Sequence, residues 1–250
     1  MKAMIFAAGL GTRLRPLTND RPKALVEVAG KPMLRRVIEN LVKHGFDDIV
    51  INVHHFGEKI IDYVAENNSF GVNIHISDER GLLLDTGGGI LKAREWLCGD
   101  VPFLVHNADI LTDLNLRDFY DYHCRHQADA TLLTKERVTA RYLLFDADSR
   151  LSGWINKSTG QVLPEGMEYH PGDFSEMAFG GVHVISPRIF PALEEYAHGI
   201  SADDEVKFSI IPFYVAMCRR LKIMSYAPSD YRWFDVGKPE TLALAAEAFR

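Results

Sequence analysis

The sequence predicts an α/β protein, a doubly wound domain around a mixed, mostly parallel central sheet. Three observations predict it. Apolar runs of strand length alternate with segments whose apolar residues recur at helical spacing. Polar loops bearing glycine or aspartate follow several of the strands, as expected where the carboxyl ends of parallel strands meet. No repeat, low-complexity tract or linker interrupts the 250 residues, so one domain is expected over 1–250.

The elements follow in order. Ala3 to Ala8 reads as a buried strand that breaks at Gly9. Met33, Leu34, Val37, Ile38, Leu41 and Val42 mark an amphipathic helix that Gly45 ends. Ile49 to Val53 is a second buried strand, and Ile60, Ile61 and Val64 mark the next helix. Val72, Ile74 and Ile76 alternate as a strand does; Thr86 to Gly89 is a loop leading into a helix with Ile90, Leu91 and Leu97. Phe103 to Val105 forms a strand ending in His106-Asn107-Ala108-Asp109. After about Asp129 the rhythm changes. Tyr142 to Phe145 and Leu151 to Ile155 flank Asp146-Ala147-Asp148-Ser149, a hairpin turn, and Ala178 to Ile185 is another strand. Helical patterns start at Pro187 and Phe208, Ile223 to Tyr226 is a short strand, and Tyr231 to Gly237 precedes an Ala-rich final helix. This second half is expected to act as a lid over the same sheet edge.

With 47% hydrophobic and 25% charged residues, the chain can fill an ordinary globular core. The net charge of -6 and the lack of a basic block argue against nucleic acid as a partner. No apolar stretch approaches a membrane span, and no targeting segment is read at the N-terminus, so a cytoplasmic protein is expected. Cys98, Cys124 and Cys218 are odd in number and widely spaced, which favours free thiols over disulfides or zinc. His54-His55 and His123/His126 lack acidic or cysteine partners at ligand spacing and are expected at the surface or half-buried.

Three loops carry chemistry. In GLGTRLRPLTNDRPK, Gly9 and Gly11 let backbone N–H groups approach phosphate oxygens. Thr12 adds a donor, Arg13 a charged fork and Lys23 a compact charge. A dinucleotide fingerprint fails at Leu14 and Pro16, and a Walker A loop lacks its Gly-Lys-Ser/Thr, which makes a nicotinamide-dependent oxidoreductase remote. The second loop, Leu84-Asp85-Thr86-Gly87-Gly88-Gly89, would expose N–H donors and leave room for a flat base. The third holds Asp109, a carboxylate directly after a buried strand. Asp235, in Trp233-Phe234-Asp235-Val236-Gly237, is a second carboxylate after an aromatic strand. Two carboxylates plus phosphate oxygens suit magnesium, which takes few protein ligands.

The string Gly-x-Gly-Thr-Arg-x-x-Pro-x-Thr-x-x-x-Pro-Lys, placed after the first strand, resembles the signature loop of the sugar-1-phosphate nucleotidyltransferases. The likeness extends along the chain. The compact size, the Leu-Asp-Thr-Gly-Gly-Gly run and the Trp-Phe-Asp-Val-Gly ending most resemble the N-acetylmuramate-1-phosphate uridylyltransferases. The resemblance implies a Rossmann-like domain with a sugar-binding lid, its nucleotide-binding half mainly 1–128 and its sugar-phosphate half mainly 129–250. It implies a nucleoside triphosphate and a sugar 1-phosphate as substrates and Mg2+ as cofactor. Gly9, Gly11, Thr12, Arg13, Lys23, Thr86, Gly87 and Gly88 would hold the nucleotide, with Arg13, Lys23 and Asp109 catalytic and Asp109 and Asp235 on the metal. Asn107, Arg141, Lys157 and Gly181 fall where relatives contact the sugar phosphate. The chain departs from many relatives in having Ala108 rather than Gly before the aspartate, and it lacks the usual Glu-Lys-Pro around Lys157. UTP with N-acetylmuramate 1-phosphate is the expected pair; mannose- or heptose-1-phosphate guanylyl transfer and a silent sugar-nucleotide-binding subunit are the rivals. Whether the chain acts as a monomer or a homo-oligomer stays open.

Overall fold

The computed structural model describes residues 1–203 and 205–250. The first half runs β1 (Lys2–Phe6), the short ribbon β2 (Glu27–Val28) and β3 (Lys31–Pro32), α1 (Met33–Lys43), β4 (Asp48–Val53), α2 (Gly57–Glu66), β5 (Asn73–Asp78), α3 (Asp85–Lys92), α4 (Arg94–Leu97), β6 (Phe103–Asn107), β7 (Ile110–Thr112) and α5 (Leu116–His126). The second runs β8 (Ala130–Lys135), β9 (Arg141–Phe145), β10 (Leu151–Asn156), β11 (Gln161–Leu163), β12 (Ser175–Ile185), α6 (Phe190–Ile200), α7 (Ile210–Met217), β13 (Ile223–Tyr226), β14 (Trp233–Asp235) and α8 (Pro239–Ala248).

Local sequence explains the boundaries. In α1 the stripe Met33, Leu34, Val37, Ile38 and Leu41 is buried, and burial of each side chain contributes about 1.5–3 kcal/mol. The chain leaves that helix through Gly45 at φ +84°, a conformation glycine adopts without Cβ strain. Asn115 caps α5 by accepting hydrogen bonds from the N–H groups of Arg117 and Asp118. The helix expected to contain Ile90, Leu91 and Leu97 is two: Ala93 separates α3 from α4. The glycines expected in a loop before it lie inside the first turns of α3.

The sheet has the order β11-β10-β9-β12-β6-β1-β4-β5, with β8 on β12 and β13 on β8. Its first half is parallel: β1 pairs in parallel with both β4 and β6, and β4 with β5. Antiparallel pairing enters with the long strand β12, which joins β6, β8 and β9. The expected lid is therefore an extension of the sheet through β12, with β9, β10 and β11 added strand by strand. Side-chain alternation sends Ala3, Ile5 and Leu104 to one core and Met4, Phe103 and Val105 to the other, so helices cover both faces. Strand order reverses at β1, flanked by β4 and β6; the crevice beyond its carboxyl end is where such sheets hold ligands. A second ribbon, β7–β14, places Asp235 opposite Ile110, and the Val236 N–H donates to the Asp109 carbonyl at 2.8 Å.

Of His54, His55, His123 and His126, expected at the surface or half-buried, only His123 departs from that expectation. It is 1% exposed, wedged between Thr131 Oγ1 (2.8 Å) and Ser186 Oγ (2.9 Å). Burial holds it at about 4, His106 at about 4 and His183 at about 3. All three fold neutral and sit well below the ordinary value near 6.5, so the unfolded chain takes up their protons first. Their stability is fully present above pH ~6.5 and is lost as pH falls toward their folded values, by up to about 1.4 kcal/mol per histidine per pH unit. Glu79, pushed up by burial, works in the opposite sense, but as one group against three. A urea unfolding midpoint should accordingly fall between pH 7 and pH 5. A flat profile in that window would mean that these histidines are not held neutral.

Candidate active site at the carboxyl edge of the sheet

The loop after β1 doubles back on itself. Gly11, at φ +65°, leaves no space for a side chain: a Cβ there would lie 2.9 Å from the Lys23 Cβ and 3.0 Å from Thr18 Cγ2. Thr18 Oγ1 donates to the Gly11 carbonyl at 2.8 Å and closes the fold. At the loop's start, the Ala7 N–H donates to Asn52 Oδ1 on β4 at 2.8 Å. This closure brings Lys23, itself 9% exposed, back under the loop, where its ammonium pairs with the Asp109 carboxylate. Arg13 sits beside the second carboxylate. A Cβ on Gly237 would lie 3.0 Å from Arg13 Nη2 and 2.9 Å from Asp235 Oδ1, so glycine there lets the guanidinium and the carboxylate flank one point of backbone.

Two cavities meet at these residues. One, of about 370 Å³, is lined by Phe6, Ala7, Asn52, Glu79, Leu83, Asp85, Thr86, Asn107 and Lys207, among others. The other, of about 310 Å³, is lined by Leu10, Thr12, Arg13 and Gly237, among others. Gly9, Lys23 and Asp109 line both. Residues distant in sequence, from the first loop and from the end of β6, thus stand at one junction. The apolar floor and few converging polar groups are what a small-molecule site requires.

The glycines of α3 do not leave their N–H groups open, which corrects the expectation. Gly87 and Gly88 both donate to the Phe208 carbonyl, at 2.8 and 3.2 Å. Their missing side chains admit the segment 206–208: a Cβ on Gly87 would lie 2.3 Å from the Phe208 ring, and one on Gly88 2.3 Å from the Val206 carbonyl oxygen. Thr86 Oγ1 accepts the Ile210 N–H at 2.9 Å and holds the same strap. Of this run, Asp85 and Thr86 reach the larger cavity, together with Lys207 from the strap.

On the other flank Asn107 lines the larger cavity and Gly181, at φ +75°, packs against it; a Cβ on Gly181 would lie 3.1 Å from Asn107 Nδ2 and 2.7 Å from Ile110 Cγ1. Arg141 and Lys157 line neither cavity. Arg141 is exposed on β9, and Lys157 donates to Tyr169 Oη and Glu176 Oε1, both at 2.6 Å. These two bonds hold its ammonium above the ordinary lysine range.

Asn52, Glu79 and Lys207 were not anticipated. Glu79 is 1% exposed, accepting from Asn52 Nδ2 at 2.7 Å and from the Leu84 N–H at 3.1 Å. The signal for the first two is a polar residue at the end of a run that is otherwise apolar or alternating, which is costly to bury without a purpose. Nothing in the sequence marks Lys207, because its place depends on the docking of the strap.

The nucleotidyl transferase family model matches residues 2–250. The chain belongs to that family. It is 34% identical to N-acetylmuramate alpha-1-phosphate uridylyltransferase of Caulobacter vibrioides, over 98% of this chain and 95% of that protein. It is 31% identical to mannose-1-phosphate guanyltransferase of Schizosaccharomyces pombe, over 96% of this chain but 62% of that longer protein. The structure of HddC from Yersinia pseudotuberculosis complexed with GMP-PN superposes with a TM-score of 0.73 at 24% identity, covering 100% of this chain and 99% of that one, which shows a shared fold. Among the described residues no helix is long and apolar enough to cross a membrane, and the three cysteines are free.

Proposed function

We propose that the chain transfers a uridylyl group from UTP to N-acetylmuramate 1-phosphate or a closely related amino-sugar 1-phosphate, releasing pyrophosphate. The observation that carries nucleotidyl transfer is the convergence of Lys23 and Asp109 at the junction of the two cavities, with Arg13 and Asp235 flanking Gly237. A phosphate oxygen of the sugar phosphate attacks the α-phosphorus; the bond from that phosphorus to the bridging oxygen breaks, and pyrophosphate leaves with the electron pair. No residue needs to act as a covalent nucleophile, so positioning and charge neutralisation carry the rate. Lys23 neutralises the α-phosphate region, Arg13 and the N–H groups around Gly11 and Thr12 hold the leaving pyrophosphate, and Asn52, Glu79 and Thr86 face the base and ribose.

The site also suits magnesium. Among the described residues no cluster of three or more His, Cys, Asp or Glu groups could enclose an ion. Asp109 and Asp235, tied together by the Val236 N–H bond to the Asp109 carbonyl, instead offer hard oxygen donors to an ion that draws its other ligands from phosphate and water. When bound, magnesium supplies charge neutralisation at the phosphates.

The preference for UTP is supported by the uridylyltransferase relative, of which the chain spans 95%; the guanyltransferase relative, of which it spans 62%, keeps GTP as the rival. Pyrophosphate release with UTP and GTP competing at equal concentration, across a panel of sugar 1-phosphates, tests the reading. The expected result is a kcat/KM ratio favouring UTP with N-acetylmuramate 1-phosphate. A preference for GTP throughout would overturn the uridylyl assignment and leave nucleotidyl transfer standing.

A further inference from the structure

A cationic corner stands beyond Asn107 and Gly181, on the side of the sheet away from α3. Lys135 ends β8, and the chain continues through Arg137 toward β9. The Lys135 ammonium lies 4.8 Å from the centre of the Tyr231 ring and 5.9 Å from that of Trp233; the Arg137 guanidinium carbon lies 5.5 Å from the Trp233 ring. Trp233 is itself fixed, its indole N–H donating to the Gly180 carbonyl at 2.8 Å. Among the described residues no carboxylate, Glu136 included, lies within ion-pair distance of either cation, in a chain whose net charge is -6.

The order of strands says which part of a substrate this corner faces. Along the carboxyl edge, β5 and β4 bring Glu79 and Asn52 to the base end, and β1 and β6 bring Lys23 and Asp109 to the phosphates. The next strand in that direction is β12, which pairs with both β8 and β9, so on the reading proposed above these strands border the sugar. Trp233 and Asp235 stand two residues apart on β14 and so share a face of that ribbon. A cation over an aromatic ring uses the face of the ring and leaves its own N–H donors pointing outward; for arginine this is the planar fork that fits a carboxylate. Held in place before any ligand arrives, such a pair binds an anion at little ordering cost.

We propose that Lys135 and Arg137, seated on Trp233 and Tyr231, form an anion subsite that takes the carboxylate of an acidic sugar 1-phosphate. The inference deepens the function proposed above and rests on its nucleotidyl-transfer reading. It makes this corner the place where an acidic sugar is told from its neutral counterpart.

The test compares the wild type with Lys135→Ala, Arg137→Ala and the double variant, using UTP. The substrates are N-acetylmuramate 1-phosphate, glucuronate 1-phosphate and the neutral N-acetylglucosamine 1-phosphate. The wild type should favour an acidic substrate, and the double variant should lower the acidic-to-neutral ratio of kcat/KM by about 10- to 100-fold, the value of one or two charge-assisted hydrogen bonds. Arg137→Lys should retain more of the ratio than Arg137→Ala. If glucuronate 1-phosphate is the favoured substrate and the variants lose that preference, the subsite stands and the muramate assignment falls. An unchanged ratio in the double variant, or a wild type that prefers the neutral sugar phosphate, overturns the subsite; pyrophosphate release in that case leaves nucleotidyl transfer intact.

Discussion

Asp109→Asn should reduce kcat on the order of 10³-fold, the several kcal/mol that a metal-held charge contributes to a phosphoryl transition state. Two features of the fold make this a clean experiment. Asp109 is partly open, its side chain 26% exposed, so no buried carboxylate is removed from the core. Asparagine keeps an oxygen that can accept a hydrogen bond from Lys23, and the backbone carbonyl at this position still holds the Val236 N–H. Circular dichroism and the urea midpoint should therefore stay near wild type while turnover is lost. Affinity for Mn2+ in the presence of UTP, read by calorimetry, should fall in parallel. A well-folded variant with near-normal turnover would remove Asp109 from the metal and from the chemistry.

The second large effect is expected at Lys23. Truncation to alanine should cost about 10²–10³ in rate, because a preorganised cation in a site sheltered from water stabilises developing charge far better than an exposed one does. Lys23 meets that condition: its side chain is 11% exposed, and the closed loop packs over its stem, with Gly11 too near to carry a Cβ. The effect should fall on kcat more than on the KM for UTP, since the charge matters most as the α-phosphate is transferred. Lys23→Arg should not restore the rate, because a planar fork does not fit the space of a compact ammonium. Single-turnover measurements separate chemistry from product release; activity retained in Lys23→Ala would return the loop to a plain connection.

Much of this protein is decided by local sequence. The strand–helix alternation of the first half, the stripe of α1 and the Asp146–Ser149 hairpin follow from side-chain periodicity and turn chemistry, both of which act over a few residues. The loop after β1 is equally local: Gly11 must be glycine because its own backbone is left-handed and its neighbours crowd it. A loop of that spacing is what sequence alone reads as a phosphate-binding signature. The family match along residues 2–250 agrees with the nucleotidyl transferase reading.

What only the tertiary structure decided are the features that join distant segments. The strand β8, the strand β7 and the pairing of β7 with the aromatic strand β14 escaped the sequence, because each depends on partners far along the chain. The glycines of α3 read as an open cradle, yet the N–H groups and missing side chains of Gly87 and Gly88 are used by residues 206–208, which come from the other half of the chain. Lys207 enters the cavity by that same docking, and Lys135 and Arg137 are gathered only where Trp233 crosses above β12. Periodicity and turn signals report what a segment does with its own neighbours. Which segments then meet is settled by burying both sheet faces at once, and no local pattern encodes that solution.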